Sequence, residues 1–425
     1  MVGHNPPVTR AQSAAPRQTA RAGAVAGLLA LALGCAACGS GSPAGTPSSP
    51  ASVPRSTATT GPPSSSPPGG SPTTSASCAE RVLSGMSMAQ RAGQLFALGL
   101  TGNRLGAPEA AVIRSDHVGT VWFVQKSSAG TAGIRRVSDA VQALATSAAT
   151  SRVRFYVAAN QEGGLIQALA GPGFDTIPSA ADQGRLSPST LRADAARWGR
   201  QLRAAGVNLN FAPVMDVVPP GTDARNQPIG ALDREYGHDP ATVAAHGVAF
   251  LQGMQSAGVA TTAKHFPGLG RVIGNTDVAA GVVDRVTTPD DPYLGSFQAA
   301  VSAGVPFVMV ALATYTRIDP DRLAVFSPIV IGQMLRGRLH FDGVVISDDL
   351  GAATAVASIP PADRGVDLLL AGGDMIISKT VAPAEAMDRA ILARAAADPS
   401  FARLVDAAAL RVLQAKQASG LLPCR

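Results

Sequence analysis

Between residues 93 and 378 the chain repeats one pattern eight times: a short apolar run, then a longer stretch with helical character. The runs are GQLFALGL (93–100), VGTVWFV (118–124), VRFYVAA (153–159) and VNLNFAP (207–213). They continue with VATTAKH (259–265), PFVMVAL (306–312), GVVISD (343–348) and GDMIIS (373–378). Each is near-continuous rather than alternating, as befits a strand covered on both faces. Intervening segments such as TLRADAARWGRQLRAAG and PATVAAHGVAFLQGMQSAG read as helices that close on a glycine stop. Strands alternating with helices imply a parallel sheet. Eight such units predict an α/β fold, a (β/α)8 TIM-type barrel in a single domain over 78–425. No GxGxxG follows the first strand, which argues against an open nucleotide-binding sheet.

The polar chemistry gathers at one end of this pattern. NQEGG follows the third strand, MD the fourth, KHFPG the fifth and ATYTR the sixth, while SDD ends the seventh. In a barrel these are the C-terminal tips, where active sites are built. Five polar tips converging on one mouth say more than any single motif.

KHFPG, GVVISDDL, NFAPVMD and QEGG together resemble the bacterial β-N-acetylglucosaminidases of glycoside hydrolase family 3, across essentially all of 79–422. The resemblance implies a retaining glycosidase, which needs a carboxylate nucleophile and a proton donor beside the leaving oxygen. Asp348 matches the nucleophile, at the tip of a buried strand where an unpaired carboxylate is expensive. Asp349 fits a role holding loops or a helix start, and a simple helix cap is the structural alternative for Asp348. Lys264 and His265 match the pair that hydrogen-bonds sugar hydroxyls; ion pairs to Asp216 or Asp348 are the structural alternative. Arg234, in REYG, resembles a substrate-gripping arginine, against the alternative of a surface position.

Departures from the family's pattern thin the subsite. Asn160 stands where an aspartate usually precedes QEGG, Ala168 where an arginine is usual, and Leu165 follows the glycine pair. The loop after KHFPG carries an Asp-x-His pair in well-known members; here those positions are Asn275 and Asp277. Asp277 is therefore the expected proton donor, with its pKa raised by burial or by the charge on Asp348. The alternative is an Asn-Thr-Asp turn bonding its own backbone. The leading expectation is an exo-β-N-acetylglucosaminidase for amino-sugar glycosides such as peptidoglycan fragments. A carbohydrate-binding lipoprotein with a degenerate site, a β-glucosidase and a phosphorylase are the alternatives. No cofactor or metal is expected, and a monomer is.

The first 77 residues read differently. Arg10, Arg17 and Arg21 precede the apolar run AGAVAGLLALALG, making 1–34 a secretory signal peptide. LALGC resembles a lipobox, with Cys35 as the lipidated residue and Cys38 the poorer candidate; an ordinary cleaved signal is the alternative. Residues 35–77, nearly all Gly, Ser, Pro, Thr and Ala, are expected to be a disordered tether holding the domain off a membrane. The formal charge of +6 falls to about +3 without the three leader arginines, too little to suggest a nucleic-acid partner. Cys78 and Cys424 bracket the domain and read as a disulfide staple, worth roughly 5 kcal/mol or slightly more in the chain-entropy model; two free thiols are the alternative.

Overall fold

A computed structural model describes residues 76–424. The leader, Cys35 and the tether up to residue 75 lie outside the described residues. Eight strands close a barrel in which each pairs only with its sequence neighbours, and the last returns to the first. They are β1 (Phe96–Leu100), β2 (Thr120–Phe123), β3 (Tyr156–Ala159), β4 (Leu209–Asn210), β5 (Ala260–Phe266), β6 (Phe307–Val310), β7 (Val344–Asp349) and β8 (Met375–Ser378). All eight pairings are parallel.

The strands are shorter than their apolar runs, because several runs begin in the preceding turn. Residue 93 ends the helix Met88–Gly93 rather than opening β1. The largest difference is at β4. Pro213 has no N–H to give a ladder, so regular pairing stops at Asn210. Irregular bonds carry the contact onward: Thr262 N donates to Ala212 O (2.9 Å), Lys264 N to Pro213 O (3.2 Å) and Met215 N to Lys264 O (2.6 Å). The chain after β4 thus stays beside β5 and delivers Asp216 to the mouth.

Helices cover the barrel. Pro188–Ala204 is capped by Ser187 and Pro240–Ser256 by Asp239, each with proline in the first turn, where its missing N–H is harmless. Ser77, expected in the tether, instead forms a capping box with Glu80 and starts the helix Cys78–Ser84. That helix packs on the final helix Pro399–Ala418, with Ala79 and Leu413 in one apolar cluster that also takes in Met86 and Val153. The structure joins Cys78 and Cys424 in a disulfide with Cα atoms 6.0 Å apart. Among the described residues no helix is long and apolar enough to cross a membrane.

Candidate active site

A cavity of about 440 Å³ opens at the C-terminal ends of the strands. Asn160, Arg234, Lys264, His265, Asp277 and Asp348 all line it, so the six sequence-derived site residues meet in one place. Its apolar lining includes Trp122 of β2, Phe211 just after β4, Met309 of β6 and Ile377 of β8.

Lys264 and His265 end β5, and each is held by an acid. Lys264 Nζ lies 2.6 Å from Glu162 Oε1 and donates to Asn160 Oδ1 at 2.8 Å. Arg234 grips the same carboxylate as a fork, Nε to Oε2 and Nη2 to Oε1, both 2.8 Å. Its Nη1 donates to Pro228 O. Desolvation works to raise Glu162, but Arg234 and Lys264 outweigh it and bring its pKa down to about 2. Burial lowers Lys264 while Glu162 opposes the fall. Arg234 is pushed up, Glu162 overcoming its desolvation. Lys264 therefore pairs with Glu162, and not with Asp216 or Asp348.

Asp216 is fully buried and accepts three N–H groups: His265 Nδ1 (2.8 Å), His265 N (3.1 Å) and Leu269 N (2.8 Å). A carboxylate only accepts, so Nδ1 is the donor to Asp216 and Nε2 is left for the cavity. These bonds also fix the loop after β5. Gly268 sits at φ +134°, and a Cβ on Gly270 would lie 1.9 Å from Val217 O, so only glycine fits either place. Tyr315, from the segment after β6, donates to Gly268 O at 2.7 Å.

The next part of that loop is a turn and also a cavity wall. Asn275 Oδ1 accepts from Asp277 N at 3.0 Å, an Asx turn made by the asparagine. Ala355 N donates to Thr276 O and Thr354 N to Asp277 O, both 3.1 Å, which docks the loop on the segment after β7. The Asp277 carboxyl accepts no hydrogen bond among the described residues. The residue as a whole is exposed, and it lines the cavity. Desolvation there, then the charge on Asp348, holds its pKa above the usual carboxylate range.

Asp348 stands one residue before the end of β7, half-buried, and its Oδ1 accepts from Asp349 N at 2.8 Å. Asp349 turns to the backbone: its Oδ1 accepts from Gly351 N (2.8 Å) and Lys379 N (3.0 Å), tying the tips of β7 and β8. Burial raises its pKa. Leu165 is 56% exposed, and Ala168 N donates to Asn160 O. Sequence reasoning passed over Glu162 as a part of QEGG, though a buried lysine and arginine needed such an acid. Lys379, which also lines the cavity, directly follows the β8 run and was signalled only by that position.

Residues 87–415 match the sequence model of the glycosyl hydrolase family 3 N-terminal domain. Among curated relatives, a beta-hexosaminidase of Stenotrophomonas maltophilia (strain K279a) is 35% identical over 294 residues, covering 65% of this chain and 82% of that protein. One from Xylella fastidiosa (strain M12) is 34% identical over 267 residues, covering 61% and 75%. Among solved structures, the beta-N-acetylhexosaminidase of Beutenbergia cavernae DSM 12333 superposes with a TM-score of 0.76 at 48% identity, covering 78% of this chain and 99% of that one. A family 3 beta-N-acetylglucosaminidase from Paenibacillus sp. str. FPU-7 gives 0.70 at 28% identity, covering 80% and 64%.

Proposed function

Because the chain belongs to glycosyl hydrolase family 3, we propose that this glycoside hydrolase is a retaining, exo-acting β-N-acetylhexosaminidase with Asp348 as nucleophile and Asp277 as proton donor. One observation carries the assignment: the two carboxyl groups share a cavity in which desolvation, then the charge on Asp348, raises the pKa of Asp277. That is the division of labour the chemistry needs. Asp348 attacks the anomeric carbon while Asp277 gives its proton to the glycosidic oxygen, so one C–O bond forms as the other breaks. Water then gives a proton to Asp277 and displaces Asp348, which restores both groups. Arg234, Lys264 and His265 Nε2 supply polar contacts for sugar hydroxyls, on a frame held by Glu162 and Asp216.

A second reading, a sugar other than N-acetylglucosamine, also has an observation in its favour. Asn160 Oδ1 already accepts from Lys264, so an acceptor offered to sugar hydroxyls by the usual aspartate is engaged here. The leader and Cys35 support export, a lipid anchor and work on peptidoglycan fragments in the wall space. Labelled palmitate should enter the parent chain but not Cys35→Ala.

A fluorinated β-glycoside that traps the glycosyl-enzyme, followed by peptide mapping, should find the sugar on Asp348; a label elsewhere sinks the assignment. A chromogenic panel should favour the β-N-acetylglucosaminide over the β-glucoside by about tenfold or more. The reverse preference selects the second reading.

A further inference from the structure

The loop between β4 and the helix Pro240–Ser256 gathers donors that glycoside cleavage does not use. Asp223, Glu235 and His238 each present one ligand atom, and the three atoms lie within 4.8 Å of one another. Glu235 is 4% exposed, and its Oε2 is buried with no hydrogen-bond partner. Asp223 Oδ1 is also buried without one; His238 Nδ1 stands 3.5 Å away, too far to satisfy it. Buried carboxylate oxygens are normally paired, so two beside one imidazole call for a cation.

We propose that Asp223, Glu235 and His238 bind a divalent cation of the zinc class at the neck of this loop. One imidazole nitrogen with two carboxylate oxygens suits zinc, whereas calcium and magnesium favour all-oxygen shells. A tetrahedral ion needs donors about 3.3 Å apart, so the cluster must close by at most roughly 1.5 Å, with water as fourth ligand. His238 can make that movement: its side chain is 46% exposed and held by a 3.2 Å contact to Val218 O. On binding, Nδ1 gives up that contact and its proton moves to Nε2.

The neck governs the cavity wall. Within the loop, Pro228, Leu232 and Arg234 lie between Asp223 and Glu235 and line the sugar cavity. A cation there joins the two ends of that wall and keeps Arg234 beside Glu162. The test needs no substrate, so its failure is separate from failure of the glycosidase assignment. Untagged full-length protein, stripped with a chelator, is titrated with zinc against a chromophoric competitor. One zinc per chain is expected, weakened about tenfold or more by Glu235→Gln and by His238→Ala. His238 is exposed, so its loss leaves the fold intact. With free zinc at about ten times its Kd, tryptic cleavage after the exposed Arg225 should slow about tenfold in the parent chain and not in either variant. No saturable binding, or binding and protection that survive both substitutions, overturns the site. Equal protection by calcium overturns the zinc assignment.

Discussion

Each end of the barrel buries a lysine, and the two are held in different ways. At the C-terminal mouth Lys264 faces a carboxylate, Glu162, which it shares with Arg234. At the opposite end Lys416 reaches in from the final helix and donates to two neutral acceptors, Gln94 Oε1 and Gly119 O, each at 2.7 Å. Gln94 and Gly119 stand just before β1 and β2, which places Lys416 at the N-terminal rim. Its Nζ also lies 5.8 Å from the Tyr156 ring centre. Burial brings Lys416 down to about 7, whereas at Lys264 the same desolvation meets an opposing charge. Charge compensated by charge resists the pull of burial; charge compensated by dipoles alone titrates near neutrality. The mouth needs fixed charges to hold donors for a sugar, and the base needs only a filled core.

The comparison breaks first at Glu162. Glu162→Gln leaves Lys264 and Arg234 as buried cations without a counter-charge, and a loss of about 3–5 kcal/mol in urea unfolding is expected. The sign with pH follows from its lowered pKa. Its contribution is complete above the unfolded value near 4.3 and fades toward about 2, so parent and variant should converge in acid. A variant as stable as its parent at pH 7 would mean that the mouth does not depend on this pairing.

Lys416→Met gives the next effect, with the opposite pH sense. An unfolded lysine keeps its proton to about pH 10.4, but folded Lys416 gives it up near 7. Between these values the unfolded chain binds more protons, so stability rises with pH. From pH 7 to about 9.5 the parent should gain on the order of 3 kcal/mol relative to Lys416→Met. A constant difference across that range would show that Lys416 stays charged and that the two ends are alike.

How far the sequence disclosed these ends differs as well. The eight strands were legible because a parallel strand buried on both faces must be a continuous apolar run, and little else of that length is. The cavity residues were legible as tips of those runs. The charge network was not, since Arg234 meets Glu162 across 72 residues and periodicity carries no information about partners so distant. Lys416 was hidden for another reason. A lysine near a helix end is ordinarily solvated, and only the lie of Pro399–Ala418 across the barrel base buries it. The cluster of Asp223, Glu235 and His238 was invisible because it depends on how one irregular loop folds back.

Asp277 sets an unpaired titratable group at the mouth against the unpaired one at the base. Lys416 reports on stability; Asp277 should report on rate. It is exposed and its side chain accepts no hydrogen bond among the described residues, so Asp277→Ala should change unfolding by no more than about 0.5 kcal/mol. Its proton matters most when the leaving oxygen is basic, because an alkoxide does not depart unaided. Cleavage of sugar–sugar linkages should therefore fall about 100-fold or more. An activated dinitrophenyl glycoside needs no proton to leave, so its first step should be less impaired. The intermediate on Asp348 would then await a base-assisted water, and product should appear as a burst before a slow steady rate. Azide attacks without a base and should restore the second step. Equal loss on both substrates, with no burst and no azide rescue, would reduce Asp277 to a shaper of the Asn275 turn. The mouth and the base would then differ in their paired lysines but not in the use made of a lone titratable group.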